Sequence, residues 1–261
     1  MFDFHMHTTV SYDGHNAPEE MTKAAVQAGL KEICFTDHLD YELGRPKAQI
    51  AYKVEKYNRA YNGLEVPGLT IRQGVEIGMT PWNVEEVSQD LSLRHYDFVL
   101  GSVHYVENLD LYYEPYWEGK TVFQAERRYF EEILHCVRLH DNFDVLGHLT
   151  YISKAGANPT HALVLLEAHR EIIDEIMKVL IAKGKGMEIN TSGVDRCGDF
   201  LPGGNYLRRF QELGGQIVTM GSDAHDVTRV GQYTDRAAAL LKDIFGYVCT
   251  FADRKPVFHK L

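Results

Sequence analysis

Short apolar runs alternate along the chain with longer stretches in which apolar positions recur at i, i+3 and i+4. The runs predict strands at Phe2–His7, Glu32–Thr36, Thr70–Glu76, Phe98–Val103, Phe143–Gly147, Gly186–Asn190 and Gln216–Gly221. The stretches between them predict helices at Pro18–Ala28, Ala48–Tyr61, Val84–Leu93, Val122–Leu139, Thr160–Ala182, Tyr206–Leu213 and Thr228–Phe245. Asn16 or Ala17 with Pro18 and Glu19 reads as a helix start, and Gly29, Gly184 and Gly214 read as helix stops before the next strand. This strand and helix rhythm gives an α/β fold of parallel strands, with about seven strands against the eight of a standard barrel. The tail Tyr247–His259 has strand-like composition, but Pro256 within it suggests an edge or cap rather than barrel wall.

At 261 residues and 44% hydrophobic content, the chain is long enough for one sizeable core, so a single domain over residues 1–261 is expected. No run is long and apolar enough for a membrane helix, and the N-terminus MFDFHMH lacks a basic stretch or an apolar signal region. The expectation is a cytoplasmic protein. Cys34, Cys136, Cys197 and Cys249 form no CxxC pair, which fits reduced thiols. A formal charge of −10 disfavours long nucleic acid as a partner, although a small anion can still bind locally. Oligomeric state leaves no mark in the sequence.

Thirteen histidines change this picture, because neutral imidazole is the commonest metal ligand. His5 and His7 lie two apart on the first strand, so their side chains share a side, and Asp13 follows in SYDG. His38 follows the second strand, Glu76 ends the third, His104 the fourth and His148 the fifth, and the last runs into GSDAH with Asp223 and His225. A barrel collects strand ends on one face, so residues far apart in sequence converge there. These potential ligands exceed what a single four-coordinate ion uses, which implies two or three divalent transition-metal ions, with zinc, iron and manganese all suited to His and carboxylate. Asp37 reads better as a residue orienting a ligand or shaping a turn. The remaining histidines, His15, His95, His135, His140, His161, His169 and His259, fall in loops or helical stretches and read as non-ligands.

FHMHTTVSYDG, FTDHLD, GVEIG, GSVH, GHL, EINTSG and GSDAH, in that order over residues 2–231, resemble the motifs of the PHP (polymerase and histidinol phosphatase) superfamily. The likeness is strongest to its stand-alone histidinol-phosphatase type. The resemblance implies a distorted (β/α)7 TIM-like barrel with its metal site at the C-terminal ends of the strands. It also implies a trinuclear centre: His5, His7, Glu76 and Asp223 around one ion, Glu76 bridging to a second held by His104 and His148, and Asp13, His38 and His225 around a third. The implied activity is metal-dependent hydrolysis of a small phosphomonoester, L-histidinol phosphate for this type. One departure is GHLT, where related enzymes often carry an acid in place of Thr150.

Hydrolysis by such a centre needs no covalent intermediate, because ions held close together both activate water and neutralise the phosphoryl oxygens. Glu76, Asp223 and His225 are the candidate catalytic residues; Asp223, His225 or a water are alternatives as proton donor to the leaving alkoxide. Lys154 follows the fifth strand, Arg196 the sixth and Arg229 lies just past DAH, so all three are candidates for gripping phosphate. The loop Val106–Lys120 is rich in aromatics and acids, so Tyr113, Tyr116 and Trp117 with Glu114 or Glu118 form a candidate wall for an imidazole and an ammonium group, or equally a packed lid. Two other readings stay open: a PHP phosphoesterase acting on nucleotides or small phosphodiesters, and a noncatalytic metal-binding interaction module.

Overall fold

The computed structural model describes residues 1–42 and 51–261. Its elements in chain order are β1 (Phe2–Met6), α1 (Pro18–Gln27), β2 (Glu32–Phe35), β3 (His38–Leu39), α2 (Val54–Tyr61), β4 (Thr70–Gly78), α3 (Val84–Ser92), β5 (Phe98–Ser102), β6 (Tyr105–Val106), β7 (Leu109–Asp110), α4 (Glu114–Trp117), α5 (Val122–Leu139), β8 (Val145–Leu146), α6 (Arg170–Ala182), β9 (Gly186–Asn190), α7 (Val194–Cys197), α8 (Gly204–Glu212), β10 (Val218–Gly221), α9 (Thr234–Ile244), β11 (Tyr247–Ala252) and β12 (Lys255–Lys260).

The wall runs β1-β2-β4-β5-β8-β9-β10, with β3 pairing the upper half of β4, and every one of these pairings is parallel. It curls round until Met6 bridges Ala224, while Asp223 N donates to His5 O at 2.8 Å and His7 N to Ala224 O at 2.8 Å. The result is a nearly closed, distorted TIM-like barrel, as the motifs implied. All seven predicted strands are present, because strands buried on both faces betray themselves as continuous apolar runs.

Helices cover the outside with apolar stripes. In α5 the buried side chains include Ala125, Tyr129, Phe130, Ile133, Cys136 and Val137, and in α6 they are Ile172, Ile173, Ile176, Met177 and Leu180. Full burial of each large aliphatic or aromatic side chain is worth about 1.5–3 kcal/mol. Inside the barrel, Phe4, Cys34, Phe98, Leu100 and Val145 form an apolar floor, against which Phe251 of the C-terminal hairpin packs. That hairpin, β11–β12, lies outside the wall, as its proline suggested, and ties down the strand beginnings: Arg254 N donates to Asp97 O at 2.9 Å and Arg254 Nε to Asp144 Oδ2 at 2.5 Å.

Three helices start later than the periodicity predicts. The stretch Thr160–Ala182 becomes α-helical only at Arg170, after a single 3-10 turn at Leu166–Ala168, because the Asn158 side chain captures the amides of Thr160 and His161 at 2.9 and 3.1 Å and His161 turns to φ +47°. Thr228–Phe245 starts at Thr234, after Gly231 and Tyr233 adopt φ +67° and +60°. Of the predicted helix Ala48–Tyr61, residues 48–50 lie outside the described residues and the helix is formed from Val54. The three stop glycines have φ of +70°, +66° and +100°, the left-handed conformation that reverses the chain after a helix. Among the described residues no helix is long and apolar enough to cross a membrane.

Candidate metal centre

The predicted ligands sit at or just beyond the ends of wall strands, Asp13 farther out on the loop after β1, and the barrel brings them to one mouth. Along β1 the register against β2 slips between Asp3 and Met6. Phe4 consequently packs on Phe98 of the floor while the next residue, His5, meets the acids above it. At the closing seam a Cβ on Gly221 would fall 2.2 Å from His5 Cβ, so only glycine lets β10 pass behind the imidazole. Asp223, two residues on, is held at φ +55°. Asp3 pins this turn, accepting from Ser222 N at 2.8 Å, Ser222 Oγ at 2.5 Å and Gly231 N at 2.9 Å; burial pushes its carboxyl up to about 6 despite those bonds.

His5 Nε2, His7 Nε2, Glu76 Oε2 and Asp223 Oδ1 form a compact set: His5 to His7 is 3.1 Å, to Glu76 3.3 Å and to Asp223 3.5 Å, and His7 lies 3.5 Å from Glu76 and 3.4 Å from Asp223. Bonds of about 2.0–2.1 Å to a tetrahedral ion place its ligand atoms about 3.3–3.4 Å apart. The spacing is that of a coordination shell. The other Glu76 oxygen lies 3.4 Å from His104 Nε2 and 3.0 Å from His148 Nε2, so one carboxylate spans two sets of imidazoles. Asp13 Oδ2 lies 3.4 Å from His38 Nε2 and 3.2 Å from His225 Nε2. Asp13 Oδ1 is buried without a hydrogen-bond partner among the described residues, and Glu76 Oε2 and His38 Nδ1, although 3.1 Å apart, are not joined by a well-aligned hydrogen bond. Buried polar atoms are rarely orphaned, and cations among these donors would satisfy them.

A second layer orients the imidazoles. A carboxylate only accepts, so His5 Nδ1 carries the proton it gives to Glu188 Oε1 at 2.7 Å, and His104 Nδ1 the one it gives to Asp40 Oδ1 at 3.0 Å. Each Nε2 is left facing the mouth; burial opposes charge on these rings, but Glu188, Glu76 and Asp223 around His5 and Asp40 and Glu76 around His104 raise both well above the usual imidazole range, so a cation binding there displaces a proton. His225 Nδ1 donates to Asp223 O at 3.0 Å, and His7 Nδ1 lies 3.4 Å from Ser11 Oγ. Asp37 is turned to other partners: it accepts from Thr8 N, Ser11 Oγ and Tyr61 OH, and so fixes the Ser11 hydroxyl that also receives the His38 amide. Sequence reading missed Glu188, Asp40 and Asp3. The available signal was their place in EIN, in FTDHLD and beside His5.

The charges are mutually tuned. Burial opposes ionisation of Glu76, yet His5, His38 and His104 hold its carboxyl well below the usual range. Burial likewise opposes charge on His38, but Asp13, Glu76 and Asp40 carry it up to about 9. His7 and His148 are pushed down, chiefly by burial.

The mouth opens into a cavity of about 580 Å³. Lys154, Arg196, Arg229 and Tyr113 all line it, as does His15. Lys154 Nζ reaches Asp223 Oδ2 at 2.5 Å and Ser192 Oγ at 2.7 Å. Arg196 makes only a 3.4 Å contact with Gly156 O, whereas Arg229 is already bridged to Asp195. The structure takes Trp117 away from the cavity: its indole donates to Leu111 O at 2.9 Å and its ring packs on the core. Tyr116 is buried with its hydroxyl on Ala125 O, and Glu114 and Glu118 do not line the cavity; Tyr112 and Asp110 stand there instead. The aromatic segment is thus part lid and part wall.

A barrel whose strand ends gather imidazoles and carboxylates at ion-coordinating distances is a metallohydrolase architecture, and the chain belongs to the PHP domain family, whose model matches residues 3–192. It is 30% identical over 258 residues to a histidinol-phosphatase of Lactococcus lactis subsp. lactis, covering 97% of this chain and 95% of the relative. It is 32% identical over 239 residues to a probable histidinol-phosphatase of Clostridium acetobutylicum, covering 88% and 89%. The crystal structure of the histidinol phosphate phosphatase of Lactococcus lactis, complexed with zinc, L-histidinol and phosphate, superposes with a TM-score of 0.85 at 27% identity over 98% of both chains.

Proposed function

We propose that the protein hydrolyses L-histidinol phosphate to L-histidinol and inorganic phosphate with two or three divalent ions, zinc being favoured by the Lactococcus lactis complex. The observation that carries this reading is the coordination-like spacing of His5, His7, Glu76 and Asp223 beside a cavity lined by Lys154, Arg196, Arg229 and aromatic rings. His5, His7, Glu76 and Asp223 hold one ion; Glu76, His104 and His148 a second; Asp13, His38 and His225 a third. When bound, such ions supply an activated water and neutralise charge on the phosphoryl oxygens.

The chain's own groups do the rest. Lys154 and Arg196 bind the phosphate oxygens that point into the cavity, while Arg229, engaged by Asp195, steadies the rim. Lys154 and His5 keep Asp223 ionised against the cost of burial, so its carboxylate can take the proton released by the attacking water and return it to the leaving alkoxide, with His225 beside it on that path. Tyr113 forms part of the wall facing the alcohol.

Phosphate release from zinc-loaded protein tests the proposal. Histidinol phosphate should be cleaved far faster than sugar phosphates or nucleotides, and a flat profile removes the substrate. His104→Ala and Asp223→Ala proteins that fold yet keep full turnover remove the chemistry.

A further inference from the structure

The hairpin β6–β7 carries one more carboxylate to the cavity. Asp110 pairs across the ladder with Tyr105, and the next residue, Leu111, donates its amide to His104 O at 3.1 Å. Asp110 is therefore fixed beside a ligand-bearing strand end and does not ride on a loose loop. It is largely shielded by the hairpin, and its Oδ1 accepts the Tyr112 amide at 2.8 Å. The charges that act on it most are those of His104, Asp40 and Glu42, and among the described residues no lysine or arginine forms an ion pair with it.

The other acids of the cavity are committed. Asp195 is held by Arg229 and Tyr233. Asp226 accepts the amide and hydroxyl of Thr228 and lies near Arg229 and His15. Asp13, Glu76 and Asp223 face imidazoles. Tyr112 and Tyr113, with ring centroids 5.4 Å apart in an edge-on arrangement, stand close by in the chain and line the same space. A partly shielded carboxylate with no lysine or arginine paired to it, beside exposed aromatic rings, is a receptor for an organic cation.

We infer that Asp110 determines specificity by pairing with an ammonium group on the alcohol portion of the phosphate ester. The inference rests on the hydrolase reading above, but not on which amino alcohol is esterified. Two matched pairs test it in zinc-loaded protein: histidinol phosphate against 3-(imidazol-4-yl)propyl phosphate, and 2-aminopropyl phosphate against propyl phosphate. Each pair differs only by the amine.

Wild type should favour the amine-bearing member by about 10- to 100-fold in kcat/KM, expressed mainly in KM, the size of one charge-assisted hydrogen bond. Asp110→Asn keeps an acceptor for the Tyr112 amide and should bring the ratio close to one without slowing the amine-free ester or lowering zinc content. Asp110→Ser serves if the first variant misfolds. No amine preference in wild type, or a preference surviving both substitutions, overturns the inference. If histidinol phosphate is a poor substrate while 2-aminopropyl phosphate shows an Asp110-dependent preference, the substrate assignment falls and Asp110 keeps its role.

Discussion

Replacing Glu188 by Gln should weaken the metal centre without touching any metal-facing atom. The carboxylate is buried in β9 and is used on both oxygens: Oε1 accepts from His5 Nδ1 at 2.7 Å and Oε2 accepts from the His148 amide at 2.8 Å. A glutamine offers one acceptor and one donor. If its oxygen stays on His5, its amino group opposes the His148 N–H. If it turns, His5 Nδ1 must become an acceptor, which moves the ring proton to Nε2 and blocks the lone pair that faces Glu76 and Asp223. Either choice forfeits a hydrogen bond to a charged group, about 1.5–3 kcal/mol. That range agrees with the 10- to 100-fold losses of metal affinity typical when a ligand's outer partner is removed. Zinc competition against a chromophoric chelator measures the affinity, and phosphate release at saturating zinc shows how much turnover returns when occupancy is forced. A Glu188→Gln protein with wild-type zinc affinity would refute the assignment of Glu188 as the group that sets the His5 tautomer.

Two further outcomes follow from the geometry. Gly221→Ala places a methyl group 2.2 Å from His5 Cβ and 2.6 Å from Glu188 Oε1, so the seam must open; unfolding in urea should show a loss of at least about 1–3 kcal/mol together with reduced zinc content, and a variant of normal stability and metal content contradicts the close approach. Loading the ion-free protein with zinc at pH 7 should release protons: His38, protonated there because its pKa is raised to about 9, must lose its proton before it can coordinate. Apparent zinc affinity should therefore rise with pH up to about 9, roughly tenfold per unit for each proton displaced, and a titration flat from pH 6 to 8 argues against His38 as a ligand.

Much of the fold was legible because parallel strands buried on both faces appear as unbroken apolar runs, and the glycines after α1, α6 and α8 mark where the chain turns back. What went wrong was local competition for backbone amides. Nothing in the apolar spacing of Thr160–Ala182 shows that Asn158 will take the amides of Thr160 and His161, so the periodic pattern was extended through a segment that is not α-helical. The β6–β7 hairpin was missed for a similar reason: its turn places Glu107 and Asn108 at φ +53° and +61°, and glutamate is an unusual residue for that conformation.

The candidate ligands and their supports differ in legibility for a chemical reason. A position facing a cation must be an imidazole or a carboxylate, so His5, Glu76 and Asp223 stand out by residue type wherever a strand ends. The atom behind an imidazole needs only to accept a hydrogen bond, and the structure uses a different solution at nearly every histidine: Glu188 for His5, Ser11 for His7, Asp40 for His104 and the backbone carbonyl of Asp223 for His225. With so loose a chemical requirement, residue type alone does not separate the supporting layer from other polar neighbours of the ligand motifs, and the fold is needed to pick it out. The same logic separates Tyr113 from Trp117: both are aromatic members of one segment, and what turns Trp117 inward is the Leu111 carbonyl waiting for its N–H, a partner set by the backbone path and not by composition.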